Sequence, residues 1–142
     1  MIKVYRRTIK DKSLQEIDTI EPDSWVHIDN PSEEEFNTLL ELTKISKENL
    51  IDSVDQNELP RIEKENDTLI IFTRVPMSQE AELNTTPLTI IITSANIFTI
   101  ILQENRVTQA FLDKEVDFYT TQKTKFLIKI FSVTVHRFNR HI

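Results

Sequence analysis

Six carboxylates lie close together between residues 52 and 67, and they are the side chains in this sequence best suited to chemistry. They are Asp52, Asp55, Glu58, Glu63, Glu65 and Asp67. Carboxylate oxygens are preferred ligands of hard cations, and Mg²⁺ is usually held by one or two of them together with its own water molecules. The cluster is therefore either a solvated acidic surface or a cation site that is completed from outside the chain.

Other metal and catalytic sites find little support. The cluster is not an EF-hand, because the chain has no glycine for the central position of that loop and the ligand spacing is not met. His136 and His141 are five residues apart, so they do not share a helix face as paired zinc ligands would. His27 lies beside Trp25 in a predicted strand, where a hydrogen-bonded structural role is the better interpretation. We expect no catalytic residue and no enzymatic activity.

Composition excludes several classes of protein. The 142 residues fit one compact domain, and the net charge of −6 without a dense basic block argues against a nucleic-acid partner. Without cysteine there are no disulfides or thiolate sites, and without glycine the phosphate-binding loops of P-loop and dinucleotide-binding proteins cannot form. Turns with positive φ should therefore use Asn or Asp, and Asn66, Asn84 and Asn96 stand where turns are predicted.

The elements that must position the carboxylates follow from periodicity and capping signals. Their predicted order is three strands, two helices, four strands and two helices, or βββααββββαα. A second helix that begins at Ser46 and ends before Pro60 should carry the first carboxylates of the cluster. The predicted strands are 2–8, 14–20, 24–29, 61–65, 68–75, 87–94 and 96–103, and the predicted helices begin near residue 31 and at Ser46, 107 and 121, the third reaching 119 and the last 142.

The segment from Leu83 to Gln103 has no formal charge, and its 21 residues are long enough for a membrane helix. Its threonines, its isoleucines and the break at Ala95 favour a hairpin of buried strands instead. Strands that are apolar on both faces need helices on both sides, so we predict an α/β fold with a mixed sheet of about seven strands in an α/β/α arrangement. The predicted apolar helix faces are Phe36, Leu39, Leu40 and Thr43; Leu50, Ile51 and Val54; and Phe126, Leu127, Ile130, Phe131, Thr134, Val135 and Phe138.

Three motifs follow one another along nearly the whole chain. The first is "WVHIDNPSEEEF", an aromatic-opened strand that runs into an Asn-Pro helix start. The second is "NLIDSVDQNELPRIEKENDTLIIF", an acidic helix followed by a Pro-Arg step, a turn and an apolar strand. The third is the hairpin "PLTIIITSANIFTIILQ". In this order they resemble the cytoplasmic N-terminal domain of the CorA family of divalent-cation transporters.

The resemblance implies a magnesium or cobalt transport protein that is a homopentamer in the inner or plasma membrane. Residues 1–142 would be a single cytoplasmic domain, cut before the stalk and the transmembrane helices, and would touch the membrane only through those missing segments. The last predicted helix stops in mid-pattern, which fits such a cut. The family's Gly-Met-Asn selectivity motif needs a glycine, so this piece should not transport ions itself.

The resemblance also selects one carboxylate. The family's sensor aspartate stands eight residues before the proline of the Pro-Arg step, which is Asp52 here, with Asp55 and Glu58 as weaker candidates. Its partner would be an acidic residue on the neighbouring subunit's stalk. A regulatory Mg²⁺, or Co²⁺, Zn²⁺ or Ni²⁺, bound weakly between the two would remove their repulsion and stabilise the closed pentamer.

A second family metal position is not expected, because Ser132, His136 and Arg137 stand where an acidic residue would be needed. Two alternatives remain open at this point. One is the cytoplasmic domain of a zinc-transporting relative, and the other is an unrelated protein-interaction domain, which a coding sequence that stopped at Ile142 would favour. Without the stalk, we expect a monomer or a weak dimer.

Overall fold

The computed structural model describes residues 1–77 and 84–139, and in them the predicted order of elements is confirmed. The predicted end of the last helix, including His141, lies outside the described residues. The strands are β1 (Ile2–Arg6), β2 (Gln15–Ile17), β3 (Trp25–Asp29), β4 (Arg61–Glu65), β5 (Thr68–Pro76), β6 (Thr85–Ile92) and β7 (Ile97–Ile101). The helices are α1 (Glu33–Thr43), α2 (Lys47–Ser53), α3 (Arg106–Leu112) and α4 (Lys123–Asn139).

The seven strands form one mixed sheet in the order β2-β1-β3-β7-β6-β5-β4. Among the described strands, β3 and β7 are the parallel pair, and they lie in the centre of the sheet with His27 opposite Thr99. The outer pairs are antiparallel. Strand β4 is therefore an edge strand, and the carboxylates that it carries stand at one side of the molecule.

Two hydrophobic cores cover the two faces of the sheet, so the predicted α/β/α arrangement is confirmed. On one face, Phe111 of α3 and Phe126 of α4 pack against Trp25 and strands β5 to β7. On the other face, Leu39 of α1 and Leu50 of α2 pack against the same strands. We call these the α3/α4 face and the α1/α2 face. The long uncharged segment is the β6–β7 hairpin, as predicted, from Thr85 onward.

The helix starts follow side-chain caps. Ser32 caps α1 in a capping box with Glu35, and the Ser46 hydroxyl accepts the backbone N–H of Asn49 at the start of α2. Each cap satisfies a backbone donor that has no partner inside the helix. Helix α2 therefore begins where the sequence predicts.

The end of α2 differs from the prediction. The helix stops at Ser53, and a series of i+3 turns replaces it, including one from the Asp55 N–H to the Asp52 carbonyl. The Asp55 side chain accepts the Asn57 N–H at 2.9 Å, an Asx-type bond that competes with helical bonding. Asp52 is thus on the last turn of the helix, whereas Asp55 and Glu58 lie beyond it.

Other predictions about helices were wrong in part. Helix α3 ends at Leu112, because Lys114 adopts a left-handed conformation with φ 60°. Asn66 has the predicted positive φ and Asn96 does not, whereas Lys44 and Lys114 do, so turns without glycine are not confined to Asn and Asp. Three residues that were assigned to apolar helix faces are exposed, namely Ile51, Phe131 and Val135.

No helix within residues 1–77 and 84–139 is both long and apolar enough to cross a membrane.

Candidate functional site

Arg61 gathers half of the carboxylates into one group at the start of β4. Its Nη2 donates to Asp52 Oδ2 at 2.8 Å and to Asn49 Oδ1 at 3.0 Å. Its Nη1 donates to the Glu58 carboxylate, and its Nε donates to Glu63 Oε1 at 3.3 Å. We call these five residues the Arg61 cluster. The chain folds so that helix α2, the following turns and the edge strand meet at one guanidinium.

The guanidinium of Arg61 also stacks on an aromatic ring. Its Cζ lies 3.9 Å from the centre of the Phe72 ring, which belongs to the neighbouring strand and is opposite Arg61 in the β4–β5 register. Phe72 itself is buried in the core of the α1/α2 face. Stacking on an aromatic face suits a planar, delocalised cation, so Arg61 is held in place by packing as well as by hydrogen bonds.

The cluster keeps an excess of negative charge. Burial lowers the pKa of Arg61, but its hydrogen bonds to Asp52, Glu58 and Glu63 outweigh that effect and raise the pKa above its usual value. Arg61 therefore remains a cation at all physiological pH values. One positive charge among three carboxylates leaves a net charge of about −2, which favours a further cation nearby.

Asp52 is one of two carboxylates of this cluster that are well exposed, the other being Glu63 at 46%. The Asp52 side chain is 38% exposed, and the bond to Arg61 uses Oδ2. Within the described residues, Oδ1 makes no hydrogen bond. A carboxylate with one oxygen anchored and the other open is oriented for an incoming ligand without being free to rotate away.

The other three carboxylates of the sequence cluster are not part of this group. Asp55 is exposed and forms its local bond to Asn57. Glu65 accepts the Ser46 N–H and the Asn49 side-chain amide, and these bonds, that of Asn49 first, lower the pKa of Glu65. Asp67 lies in the β4–β5 turn. The structure therefore joins Asp52 with Glu58 and separates both from Asp55.

The residues that the structure describes include no group of three or more His, Cys, Asp or Glu side chains arranged to hold a metal ion. In the Arg61 cluster, the guanidinium bonds to all three carboxylates and neutralises part of their charge. Asp52 Oδ1 fits a metal as a single oxygen ligand. A stable site would need at least one further carboxylate from another chain or segment.

Two arginines in this region were not identified as functional residues from the sequence. Arg61 belongs to the Pro-Arg step, and that motif was the signal that could have indicated its role. Arg74 donates to the carbonyls of Gln56 and Glu58 at 3.0 and 3.2 Å, and so holds the turn that presents Glu58. Nothing in the local sequence around Arg74 indicates this contact.

The two histidines within the described residues lie away from the Arg61 cluster. His27 is buried, and its Nδ1 is 2.7 Å from the Thr99 hydroxyl, which confirms a hydrogen-bonded position in the strand. Burial, with a smaller effect from Lys3, lowers the pKa of His27 to about 4. His136 and Ser132 are exposed on α4, and Arg137 pairs with Glu115 at 3.0 Å.

The fold as a whole is similar to solved structures of CorA and of the ZntB cytoplasmic domain. One match is the soluble domain of CorA from Methanocaldococcus jannaschii, with a TM-score of 0.71 and 20% identity, covering 99% of this chain and 58% of that one. Another is the complete CorA magnesium transporter from the same organism, with a TM-score of 0.69 and 21% identity, covering 99% of this chain and 46% of that one. The ZntB cytoplasmic domain from Vibrio parahaemolyticus matches with a TM-score of 0.71 and 12% identity, covering 96% of this chain and 58% of that one.

The sequence identifies the family more directly. The family model for CorA-like Mg²⁺ transporter proteins matches residues 24–142, so the chain belongs to this family and the predicted resemblance is confirmed. The chain spans about half the length of the solved structures that it resembles, 46% to 58%. None of the curated proteins in the comparison matches it. The family is described by transport and not by catalysis.

Proposed function

We propose that this chain is the cytoplasmic metal-sensing domain of a CorA-like magnesium transport protein, with Asp52 as its regulatory ligand. Family membership supports the transport assignment. The observation that supports Asp52 is its half-anchored carboxylate, with Oδ2 on Arg61 and Oδ1 unbonded within the described residues. Glu63 shares this arrangement on the edge strand, so the choice of Asp52 rests on the position that the family resemblance implies.

The proposed mechanism is electrostatic. Asp52 and an acidic residue of a neighbouring subunit face each other across a boundary in a homopentamer, and their like charges repel. A Mg²⁺ ion that bridges them removes the repulsion and stabilises the closed assembly. When the ion leaves, the subunits separate and the pore opens, so metal occupancy and conformation are linked. The pore itself would lie in membrane-spanning segments beyond this chain.

Arg61 has a defined role in this mechanism. It holds Asp52 in one orientation, but it also competes with Mg²⁺ for the same carboxylate. This competition keeps the affinity low, which suits a sensor that must release its ion when the internal concentration falls. The net negative charge of the Arg61 cluster, to which Glu58 and Glu63 contribute, keeps the region attractive to a divalent cation.

Mg²⁺ is the cation we propose, with Co²⁺ and Ni²⁺ as chemically similar occupants. The Arg61 cluster offers oxygen ligands and an arginine, whereas zinc favours sites with histidine or cysteine. A zinc-transporting relative is the second candidate, because the ZntB cytoplasmic domain has the same fold. Competition between Mg²⁺ and Zn²⁺ in an uptake assay distinguishes the two.

The test uses the intact transporter in membranes and measures protection from limited proteolysis as Mg²⁺ is added. We expect Asp52→Asn to raise the Mg²⁺ concentration needed for half-protection roughly tenfold, since it removes a full charge from the ligand. Glu48→Gln is the matched control, because Glu48 is an exposed carboxylate on the same helix. Unchanged protection in Asp52→Asn, or an equal shift in the control, would contradict the sensor assignment.

The oligomeric part of the proposal has its own measurement. The pentamer would depend on contacts from the stalk, so residues 1–142 alone should behave as a monomer or weak dimer. Light scattering at micromolar concentration checks this expectation. A stable pentamer of the isolated chain would show that this domain supplies the assembly contacts itself.

A further inference from the structure

We propose that the cavity at the carboxyl ends of β3 and β7 binds a small anion that carries a carboxylate or phosphate group. This cavity has a volume of about 300 Å³ and lies between the sheet and helix α3. The sheet contributes Lys3, Tyr5 and His27 to its lining, and α3 contributes Thr108 and Gln109. The cavity is on the α3/α4 face, and Asp52 is carried by a helix on the other face. The anion proposal can therefore be tested independently of the proposed metal function.

The position of the cavity follows from the topology. After β3 the chain passes to α1 on one face of the sheet, and after β7 it passes to α3 on the other face. Two adjacent parallel strands whose connections diverge in this way open a crevice at their carboxyl ends, which is where ligands bind in open α/β sheets. Asp29 and Ile101, the last residues of the two strands, both line the cavity.

A buried hydrogen-bond chain fixes the donor inside the cavity. The Trp25 indole N–H donates to the Thr99 hydroxyl at 2.8 Å, and the same hydroxyl is 2.7 Å from His27 Nδ1. Because the indole can only donate, the Thr99 oxygen accepts that bond, and its own proton is available for His27 Nδ1. The hydroxyl oxygen has a second lone pair, so this geometry fits either tautomer, and the proposal takes the one in which neutral His27 carries its proton on Nε2. We call these three residues the His27 chain.

His27 Nε2 is the part of this chain that is left for a ligand. The His27 side chain is 95% buried, with a relative exposure of 5%. Its Nδ1 is used by Thr99, whereas Nε2 has no hydrogen-bond partner within the described residues and is not completely buried. Nε2 therefore reaches the open volume of the cavity, where it offers an N–H donor.

Charges of both signs line the cavity, with Lys3 and the N-terminal ammonium against the carboxylates of Asp29 and Glu104. Lys3 is directly opposite His27 in the β1–β3 register, and its ammonium contributes, after burial, to the lowered pKa of His27. The N-terminal ammonium acts on that pKa in the same direction, so the inner end of the cavity, beside His27, is its more positive part. An anion bound at the inner end would accept the Nε2 hydrogen bond and pair with Lys3.

The experiment uses the chain's single tryptophan as the reporter. The Trp25 ring is 5.4 Å from the His27 ring, so an anion bound to His27 should change its fluorescence. Sodium phosphate and sodium acetate are titrated separately at pH 7, with NaCl added to hold the ionic strength constant. We expect a saturable change with at least one of them. The one that binds more tightly identifies the anionic group.

Two charge-matched variants test the assignment. Lys3→Met should weaken binding roughly tenfold, because it removes a charge-assisted contact. Lys47→Met, an exposed lysine on the α1/α2 face, should leave binding unchanged. Both variants lie on the surface, so the fold should tolerate them. Equal effects of the two variants, or a change that never saturates with either anion, would overturn the proposal.

A second measurement does not depend on any variant. Long-range ¹H–¹⁵N correlation spectra of the unmodified chain report which nitrogen of each histidine carries the proton. We expect the Nε2–H form of His27 and a shift of its Nε2 resonance at saturating anion. The Nδ1–H form, or an Nε2 resonance that does not respond, would overturn the proposal.

Discussion

The Arg61 cluster and the His27 chain are both polar groups built on the same sheet, but they differ in place and in chemistry. The Arg61 cluster consists of charges at an edge strand, and its side chains are partly exposed to solvent. The His27 chain consists of neutral groups in the central parallel pair, and its members are at most 5% exposed. The Arg61 cluster is accessible to water and ions, whereas the His27 chain is buried except for His27 Nε2.

This difference determines what each group contributes. Partly exposed ion pairs contribute little to stability, because water and salt compete for the same charges. A buried neutral hydrogen bond is costly to break, because the groups left behind have no water to replace it. The edge cluster is therefore suited to reversible binding, whereas the central chain fixes the structure and orients one donor.

The largest expected effect is at the centre. Thr99→Val removes the hydroxyl that serves both Trp25 and His27, so it should lower the free energy of unfolding by about 4 kcal/mol at pH 7. Thr86→Val is the control, because the Thr86 hydroxyl is also buried but has no hydrogen-bond partner within the described residues. That variant should be neutral or slightly stabilising. Urea denaturation of both variants measures the contrast, and similar losses would contradict it.

The next effect comes from the pH dependence of His27. Its pKa is about 4 in the folded chain and about 6.5 when exposed, so the unfolded chain binds more protons between these values. Stability contributed by neutral His27 is present above pH 6.5 and is lost as the pH falls. We expect a loss of about 2 kcal/mol between pH 7.5 and 5.

The control for this prediction is His27→Asn, in which the same pH change should have a much smaller effect. Carboxylates with lowered pKa values, such as Glu35 and Glu65, lose their contribution only as the pH falls below about 4.5. Their titration therefore lies below the chosen range. An equal slope in the variant and the unmodified chain would show that His27 is not responsible.

Substitution in the Arg61 cluster should lower the free energy of unfolding less than substitution in the His27 chain. Arg61→Met leaves Asp52, Glu58 and Glu63 without their shared cation, but all three retain access to water. We expect a loss of about 1 kcal/mol in the free energy of unfolding. Lys64→Met, at an exposed position on the same strand, should change it by less than about 0.5 kcal/mol. A larger loss than in Thr99→Val would reverse the comparison between the two regions.

The smallest effect is expected outside the cluster. Asp55→Asn keeps an oxygen that can accept the Asn57 N–H, and the side chain is exposed. Its free energy of unfolding should change by less than about 0.5 kcal/mol, and Mg²⁺ protection of the intact transporter should be unaffected. A clear loss of protection would bring Asp55 back as a metal ligand.

The sequence predicts the edge better than the centre, and the reason is physical. Residues 52 to 63 are close in the chain, so the sequence alone shows that their charges form a group. The Asx bond at Asp55, which ends α2 early, was not predicted. The bonds of the His27 chain join residues that are 72 and 74 positions apart. They depend on the pairing of β3 with β7, which periodicity alone does not specify.

The same reasoning applies to the fold. Alternating apolar residues and caps such as Ser46 predict where elements begin, and the uncharged strands predict helices on both faces. Tertiary packing decides the rest. Phe118 lies beyond the end of α3 and yet is buried against Phe126, with ring centres 4.4 Å apart, so its apolar character suggested a longer helix. Ile51 shows the opposite, since it continues a helical pattern but is exposed.

The most direct test of the proposed function is the Mg²⁺ affinity of the intact transporter in two variants of one ion pair. If Asp52 is a regulatory ligand for which Arg61 competes, Asp52→Asn should weaken Mg²⁺ binding roughly tenfold, and Arg61→Met should tighten it. Calorimetric titration of both variants measures the two shifts. Shifts in opposite directions would support the proposal. Weakening in both variants, or no change in either, would contradict it.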